Sequence, residues 1–565
     1  MRGKLDSDSV VYGLSAMIGI VAFMAIYGLH VLNPVYDDWL LGQGDLTQHY
    51  LGWCFYRRSD WFFPVGLTDN LAYPSFTSVI FTDSIPVLAV FFKLLSPILP
   101  ETFQYFGWWG IVSFALHGFF SAKILRELSV GKMQALIGSV FFVLSPLVIE
   151  RMFKHTALGG HWMILAAVYL FVRHGKDYCN TKKAVVCWGI LGALTSAVHL
   201  YFLPMCGAFL CGYLLCSFWR ERRFRWKYLL PGMSFGGMLF TSTYLLGGFS
   251  TRAVSSDSGL GECSFNLNGF FNEKGYSRFF DALPMYHELQ YEGFAYLGLG
   301  IFVLLTTVAA FVVMDLTRNG GSCIRGKRVE LLTVGLMTAG LVVFAASPVV
   351  TWNDKLLFVL TDSSTLTHYW SIFRSTGRII WPVNYMIYIA AIVCNAKLWE
   401  RVFEKSGGRG RKAAAAGTVV VALCCLLQIV DISGKLAEQR VQFAGRTTYV
   451  SPFQDETWEE LAGSERLRHL VWVPNSFENK EILEFAKWAY DNQLTMNIFY
   501  FARGIGVLED TQNSLRSPDD TYLFVFRRDM VQEYADCGLH FYEADEYVVG
   551  TTFALEQEEY DFNAF

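Results

Sequence analysis

The chain has 565 residues; 53% are hydrophobic, 16% aromatic and only 17% charged, with a net charge of −4. Soluble domains carry about a quarter charged residues, so this composition excludes an ordinary soluble enzyme and indicates a multi-pass membrane protein. The charge is uneven: from residue 432 onward there are 24 acids and 11 basic residues, against 26 and 35 before it. An acidic, polar tail (432–565) is therefore expected to fold as a soluble domain on a membrane body (1–431).

The first apolar run, Val10 to Leu32, is longer than a signal-peptide core and no small-residue cleavage site follows it. It predicts an uncleaved first helix. Ten more runs have spanning length, near 102–125, 133–149, 157–173, 184–200, 202–219, 228–248, 293–315, 329–348, 379–397 and 411–430. SIPVLAVFFKLLSPILP at 84–100 is shorter, with Lys93 and three prolines. Basic residues cluster at the N-terminus and at 123–132, 173–183, 220–227, 318–328 and 397–412. If these clusters and the N-terminus face the cytoplasm, about eleven spans pair without conflict and 84–100 must enter and leave on one side, as a re-entrant or interfacial helix. Loops 33–83, 249–292 and 349–378 and the tail then share the outer face of the cell membrane. RERRFRWK at 220–227 follows the same orientation rule, and no nucleic-acid partner is expected.

In the tail, RLRHLVWVP (466–474), LTMNIFYFA (494–502), TYLFVFRR (521–528) and HFYEADEYVVGTTF (540–553) read as strands. NKEILEFAKWAYDNQ (479–493) and DMVQEYADCG (529–538) read as helices, so a small α/β sheet domain is expected. Cys206, Cys211, Cys216, Cys424 and Cys425 lie in apolar runs, and no CxxC or zinc-ligand spacing occurs. Core packing accounts for them.

The outer segments hold the unusual polar residues. In GDLTQHYLGW (44–53), Asp45, Gln48 and His49 follow the first span. On a helix Asp45 and His49 share a face; the acid could be a general base at the membrane surface, or simply an N-cap. Asp83 in FTDSIP has the same capping alternative beside a substrate-facing loop. IERMFKHTALGGHW (149–162) holds Glu150, Arg151, Lys154, His155 and His161; Arg151 and Lys154 run against the charge rule, which phosphate binding or snorkelling would explain. His199 at another outer turn reads as a hydrogen-bonded structural group. Tyr291 and Glu292 in QYEGFAYLGLG suit a sugar face and its hydroxyls, and a plain long loop accounts for them equally well. Arg374 and Arg378 in FRSTGRIIWP sit four apart, as a helical anion clamp would. Carboxylates at Asp37, Asp38 and Asp45 could hold a divalent metal, but the sequence demands no cofactor.

GDLTQHYLGWCFYR, YPSFTSVIFTDSIPVLAVFFKLL, QYEGFAYLGLG and FRSTGRIIWPVNY, in this order, resemble an uncharacterised bacterial family of multi-pass membrane proteins. That family is similar in layout to the GT-C superfamily of glycosyltransferases. The resemblance implies a polyprenyl-phosphate-linked sugar donor, a glycan or lipid acceptor, and a first-loop carboxylate that activates the acceptor hydroxyl; Asp45 matches that acid. It makes Arg374 and Arg378, with Arg151 and His155, candidates for the donor phosphate; in the mechanism this suggests, His49 orients Asp45 or contacts the acceptor. Inversion at the sugar carbon is expected. The competing readings are a flippase for lipid-linked glycans, which would need polar groups deep in several spans, and a non-catalytic envelope assembly factor.

Overall fold

The computed structural model describes residues 7–42, 44–174, 181–221, 225–250, 260–321, 327–404, 410–474, 476–501 and 508–562. Much of the basic clusters at the N-terminus, 173–183, 220–227, 318–328 and 397–412 lies outside these residues.

A helical body comes first. It runs α1 (Ser7–Tyr27), α2 (Gly44–Arg58), the short strands β1 (Leu67–Thr68) and β2 (Thr77–Ser78), α3 (Pro86–Leu94), α4 (Phe106–Glu127) and α5 (Lys132–Val143). It continues through α6 (Pro146–Arg151), α7 (Trp162–His174), α8 (Thr181–Val198), α9 (Phe202–Glu221), α10 (Leu230–Leu245) and α11 (Leu299–Asn319). Next come α12 (Arg328–Ala346), the hairpin β3 (Val349–Trp352) and β4 (Lys355–Val359), α13 (Ser364–Ser371), α14 (Trp381–Glu404) and α15 (Gly410–Ala444). All eleven expected spans are helical. Among the described residues, eight helices are long and apolar enough to cross a membrane by length and composition. The remaining three, α4, α8 and α10, carry buried polar and charged residues or are shorter. The 133–149 span is broken at Ser145–Pro146, where proline starts α6.

α3 has nine residues, about 14 Å of helix, too short for a hydrocarbon core of about 30 Å. Its odd lysine is an anchor. The Lys93 ammonium donates to the Ser59 hydroxyl and the Asp60 carbonyl, each at 3.0 Å, and lies over the Tyr56 and Trp61 rings.

Helix pairs approach closely where side chains are small. A Cβ added at Gly19 of α1 would stand 2.1 Å from the Phe114 carbonyl, and one at Gly118 of α4 2.1 Å from the Ser15 carbonyl. Backbones that near are the usual membrane solution, because lipid offers no hydrophobic drive for association. The spans are less clean than their hydropathy suggests. His161 bonds the Tyr385 hydroxyl at 2.6 Å, Asn395 the Gly417 carbonyl at 3.0 Å, and Gln428 accepts from Gly300 N at 3.0 Å. These polar groups join helix to helix.

α15 has 35 residues and carries straight through the change of composition at 431/432. The tail then folds as α16 (Glu456–Ala462), β5 (His469–Trp472), α17 (Asn479–Asp491), β6 (Thr495–Met496), α18 (Leu508–Arg516), β7 (Tyr522–Arg527), β8 (His540–Ala544) and β9 (Tyr547–Thr551). The sheet order is β6-β5-β7-β9-β8, with β5 parallel to β6 and β7 and the β8–β9 hairpin antiparallel. The helix expected over 529–538 is only a 3-10 turn, Val531–Tyr534, because the short link must deliver the chain to β8 through Gly538 at φ +80°.

The sheet domain is docked on α2. Met496 of β6 exchanges backbone hydrogen bonds with the first long loop, Met496 N to Asn70 O and Tyr73 N to Met496 O, both 2.9 Å. Arg58 donates to the Tyr490 and Leu494 carbonyls, and the Tyr73 ring stacks on His469 at 3.8 Å. The helix that carries Asp45 is thus clamped between body and sheet domain.

Candidate active site

α2, the loop before α3, the α6–α7 link, the start of α9, the 371–378 segment and the β6–α18 link meet around one cavity of about 630 Å³. Its polar wall holds Asp45, Gln48, Asp83, His155, His199, Arg374, Arg378 and Tyr500. Its other wall is apolar, with Leu203, Leu239, Phe240 and Phe249.

Asp45 sits in the first turn of α2, not at its N-cap position, and its carboxylate is bound by His155 Nε2 at 3.0 Å. Capping is therefore not its role here. His155 Nδ1 lies 3.1 Å from Arg151 Nη1. A guanidinium can only donate, and a neutral imidazole has one acceptor. Arg378 Nη2 also lies 3.0 Å from Nε2; the Asp45 carboxylate, which can only accept, together with Arg151 on Nδ1 favours the proton on Nε2, aimed at Asp45. Burial, then the Arg378 charge, push His155 down to about 4. It holds Asp45 as a neutral donor. Burial alone would raise the Asp45 carboxyl, but the His155 hydrogen bond and the neighbouring His49 and Arg378 keep it well below the ordinary carboxylate value. Asp45 is ionised at neutral pH. The expectation that His49 orients Asp45 is replaced: His49 is buried, its Nδ1 lies 3.4 Å from the Thr156 hydroxyl, and His155 takes the orienting position.

Behind His155 lies a buried charge cluster. Arg378 binds Glu292 through Nε and Nη2 at 2.7 and 2.9 Å. Arg151 reaches the same carboxylate at 3.0 Å and donates to the Glu292 carbonyl at 3.2 Å. Burial opposes ionisation of Glu292, and the two arginines overturn it, holding the acid well below its usual value. Glycines make this possible. A Cβ at Gly377 would meet Gly293 Cα at 2.7 Å, and one at Gly293 would meet Phe265 Cα at 2.7 Å, so backbones touch where Glu292 and Arg378 must meet. The chain between Arg374 and Arg378 is not a helical turn: α13 ends at Ser371 and a 3-10 helix starts at Thr376. Arg374 and Arg378 still line one cavity, with different duties. Arg378 is spoken for by Glu292, whereas Arg374 is exposed and makes no ion pair among the described residues. Tyr291 lies off the cavity, under the Lys154 ammonium at 4.4 Å.

Asp83 is no N-cap of α3. It takes a left-handed conformation, φ +53°, at the end of a 3-10 turn, and pairs with His199 Nε2 at 3.3 Å. Tyr201 N donates to His199 Nδ1 at 3.1 Å, which again leaves the proton on Nε2 toward the acid. Asp37 and Asp38 do not join Asp45. Asp37 accepts the Tyr50 hydroxyl at 2.6 Å and Asp38 accepts Tyr449 N at 2.9 Å. Among the described residues no three metal-ligating side chains are grouped.

Sequence reasoning missed Tyr500 and the pairing of His199 with Asp83. Tyr500 follows β6 and lines the cavity with Asp45; burial, then that carboxylate, raise its phenol. No local pattern marks it. Only the docking of the sheet domain on α2 brings it there.

A family model described as a domain of unknown function, DUF6311, matches residues 16–433, and the DUF6311 C-terminal domain matches 457–552. No curated protein matches the chain. Among solved structures the chain is similar to ArnT from Cupriavidus metallidurans bound to undecaprenyl phosphate, at 12% identity and TM-score 0.40, over 97% of this chain and 98% of that one. It is also similar to the oligosaccharyltransferase AglB from Archaeoglobus fulgidus in complex with an inhibitory peptide and a dolichol-phosphate. There identity is 10% and TM-score 0.43, over 98% and 75% of the two chains.

Proposed function

We propose that this chain, which belongs to the DUF6311 family, is a membrane glycosyltransferase that moves a sugar from a polyprenyl-phosphate-linked donor to a glycan or lipid acceptor. One observation carries the reading: a single cavity sets the ionised Asp45 and the exposed Arg374 beside an apolar wall. A carboxylate for a hydroxyl, a guanidinium for a phosphate and an apolar slot for a prenyl chain are what such a reaction needs in one place.

In this mechanism the prenyl chain lies against Leu203, Leu239 and Phe240, and its phosphate meets Arg374 with the edge of Arg378. The acceptor oxygen attacks the anomeric carbon, the bond from that carbon to the phosphate oxygen breaks, and polyprenyl phosphate leaves with the electron pair. Asp45 is too acidic to deprotonate a free hydroxyl. It takes the proton once the new carbon–oxygen bond makes that hydroxyl strongly acidic, and until then its charge stabilises the acceptor oxygen. His155 keeps Asp45 ionised and aimed. Attack from the side opposite the phosphate inverts the sugar carbon. A second cavity of about 500 Å³ on the other side of the first turn of α2, with Trp39, Tyr449 and Lys480 in its wall, supports an approach for the acceptor. We place the cavity, the sheet domain and the reaction on the extracytoplasmic face, with the N-terminus cytoplasmic, as the distribution of basic loops favours.

The test is transfer from polyprenyl-phosphate-linked sugars to envelope acceptors in membranes from cells expressing the chain or its Asp45→Asn variant at equal protein level. Asp45→Asn is expected to lose about 10³-fold in rate. Intact transfer by that variant would exclude the catalytic role.

A further inference from the structure

The segment from Ser347 to Ser375 joins two stretches able to cross a membrane, Arg328–Ala346 and Thr376–Phe403. Both its ends therefore reach one membrane surface. β3 is fastened on its inner edge: Leu267 N donates to the Thr351 carbonyl at 3.1 Å, and Asn266 Nδ2 donates to the Asn353 carbonyl in the turn at 2.7 Å. β4 pairs with β3 alone among the described residues and is exposed along its whole length.

A strand with one face in water alternates apolar and polar residues. This one does not. After Lys355 the chain reads Leu356, Leu357, Phe358, Val359, Leu360, and with Trp352 these side chains are 42% to 53% exposed. α13 and the residue after it add exposed Leu366, Tyr369 and Ile372. So long an apolar edge in water invites aggregation. The helix that leads into the hairpin, α12, carries an exposed apolar face of its own, made by Leu332, Leu336 and Val343, such as a spanning helix turns to lipid. Charged residues bound the hairpin patch, Asp354 and Lys355 at the turn and Asp362 beyond β4, and Trp352 and Tyr369 are the ring types favoured at a membrane–water border.

We propose that the β3–β4 hairpin and α13 form an interfacial element seated in the acyl-chain border of the bilayer leaflet on the cavity side. The element leads directly into Ile372, Phe373 and Arg374 of the cavity wall, so its seating sets that rim at the depth of the lipid headgroups. A lipid-borne phosphate then meets Arg374 without leaving the leaflet. The seating itself is independent of which reaction the cavity performs.

The test uses the full chain in nanodiscs of phosphatidylcholine and phosphatidylglycerol, with Trp352 emission isolated as the difference between the native chain and Trp352→Phe. Acyl-brominated phosphatidylcholine is expected to remove about half or more of that emission, as for a ring held in the interface, and aqueous acrylamide little of it. Quenching by acrylamide and not by brominated lipid overturns the proposal. So does a dimer in which Trp352 is shielded from both quenchers, which assigns the patch to a second copy. Leu357→Glu with Val359→Glu changes only exposed positions and is expected to fold and return Trp352 to water. Undiminished brominated-lipid quenching in that variant also overturns it.

Discussion

Two carboxylate–histidine pairs face the same cavity, and they differ in what stands behind them. In both, a donor on Nδ1 leaves the Nε2 proton for the acid. For His155 that donor is the Arg151 guanidinium. For His199 it is the Tyr201 backbone amide. Asp45–His155 is therefore backed by Arg151, Arg378 and Glu292, while Asp83–His199 rests on a turn. In the proposed reaction, fixed charge behind a neutral histidine keeps it from taking the proton, which leaves Asp45 as the acceptor. The weaker support behind Asp83 would there suit a group that binds a hydroxyl.

The largest expected effect that tests this contrast is on transfer. Asp83→Asn should cost at least about tenfold less in kcat than the roughly 10³-fold loss of Asp45→Asn, and should fall mainly on KM for the acceptor. Equal losses in kcat would make the two pairs interchangeable and break the comparison. Next comes stability. Glu292→Gln leaves two buried guanidinium groups without a carboxylate and should destabilise the chain by about 3–5 kcal/mol, read as a fall in Tm of the detergent-solubilised protein. His199→Ala leaves one partly exposed carboxylate, Asp83, without its histidine and should move Tm less.

Third is the pH dependence. The Asp45 pKa in the folded chain is depressed, so its contribution to stability is full above the unfolded carboxylate value of about 3.9 and is lost as pH falls through the lower folded value. The acid limb of kcat should therefore lie below about pH 4. His155→Ala removes the donor that depresses the pKa and should move that limb upward; an unmoved limb would show that His155 does not tune the acid. The smallest expected effect is that of Tyr500→Phe, about two- to fivefold in kcat for loss of the phenol that shares the cavity with Asp45. The limb should shift in the same direction as in His155→Ala, with KM for the donor unchanged.

The amino-acid sequence determined the membrane body, the eleven helices, the short helix with Lys93 and the sheet domain. Hydropathy and periodicity are local quantities, and a helix in lipid must satisfy its own backbone. It also singled out Asp45, Asp83, His155, Glu292, Arg151, Arg374 and Arg378, because charges in lipid-proximal loops are costly enough to stand out. Tertiary structure decided their partners. Asp45 and His155 are 110 positions apart, and Arg378 meets Glu292 only because Gly293 and Gly377 let two backbones touch. Spacing suggested His49 for Asp45 and a helical pair for the arginines. The structure chose His155, and it held Arg378 in a buried ion pair while Arg374 stays exposed at the cavity, since a buried charge must find a partner wherever the fold supplies it. Tyr500 could be found only in three dimensions, for its place depends on how one folded domain sits on another.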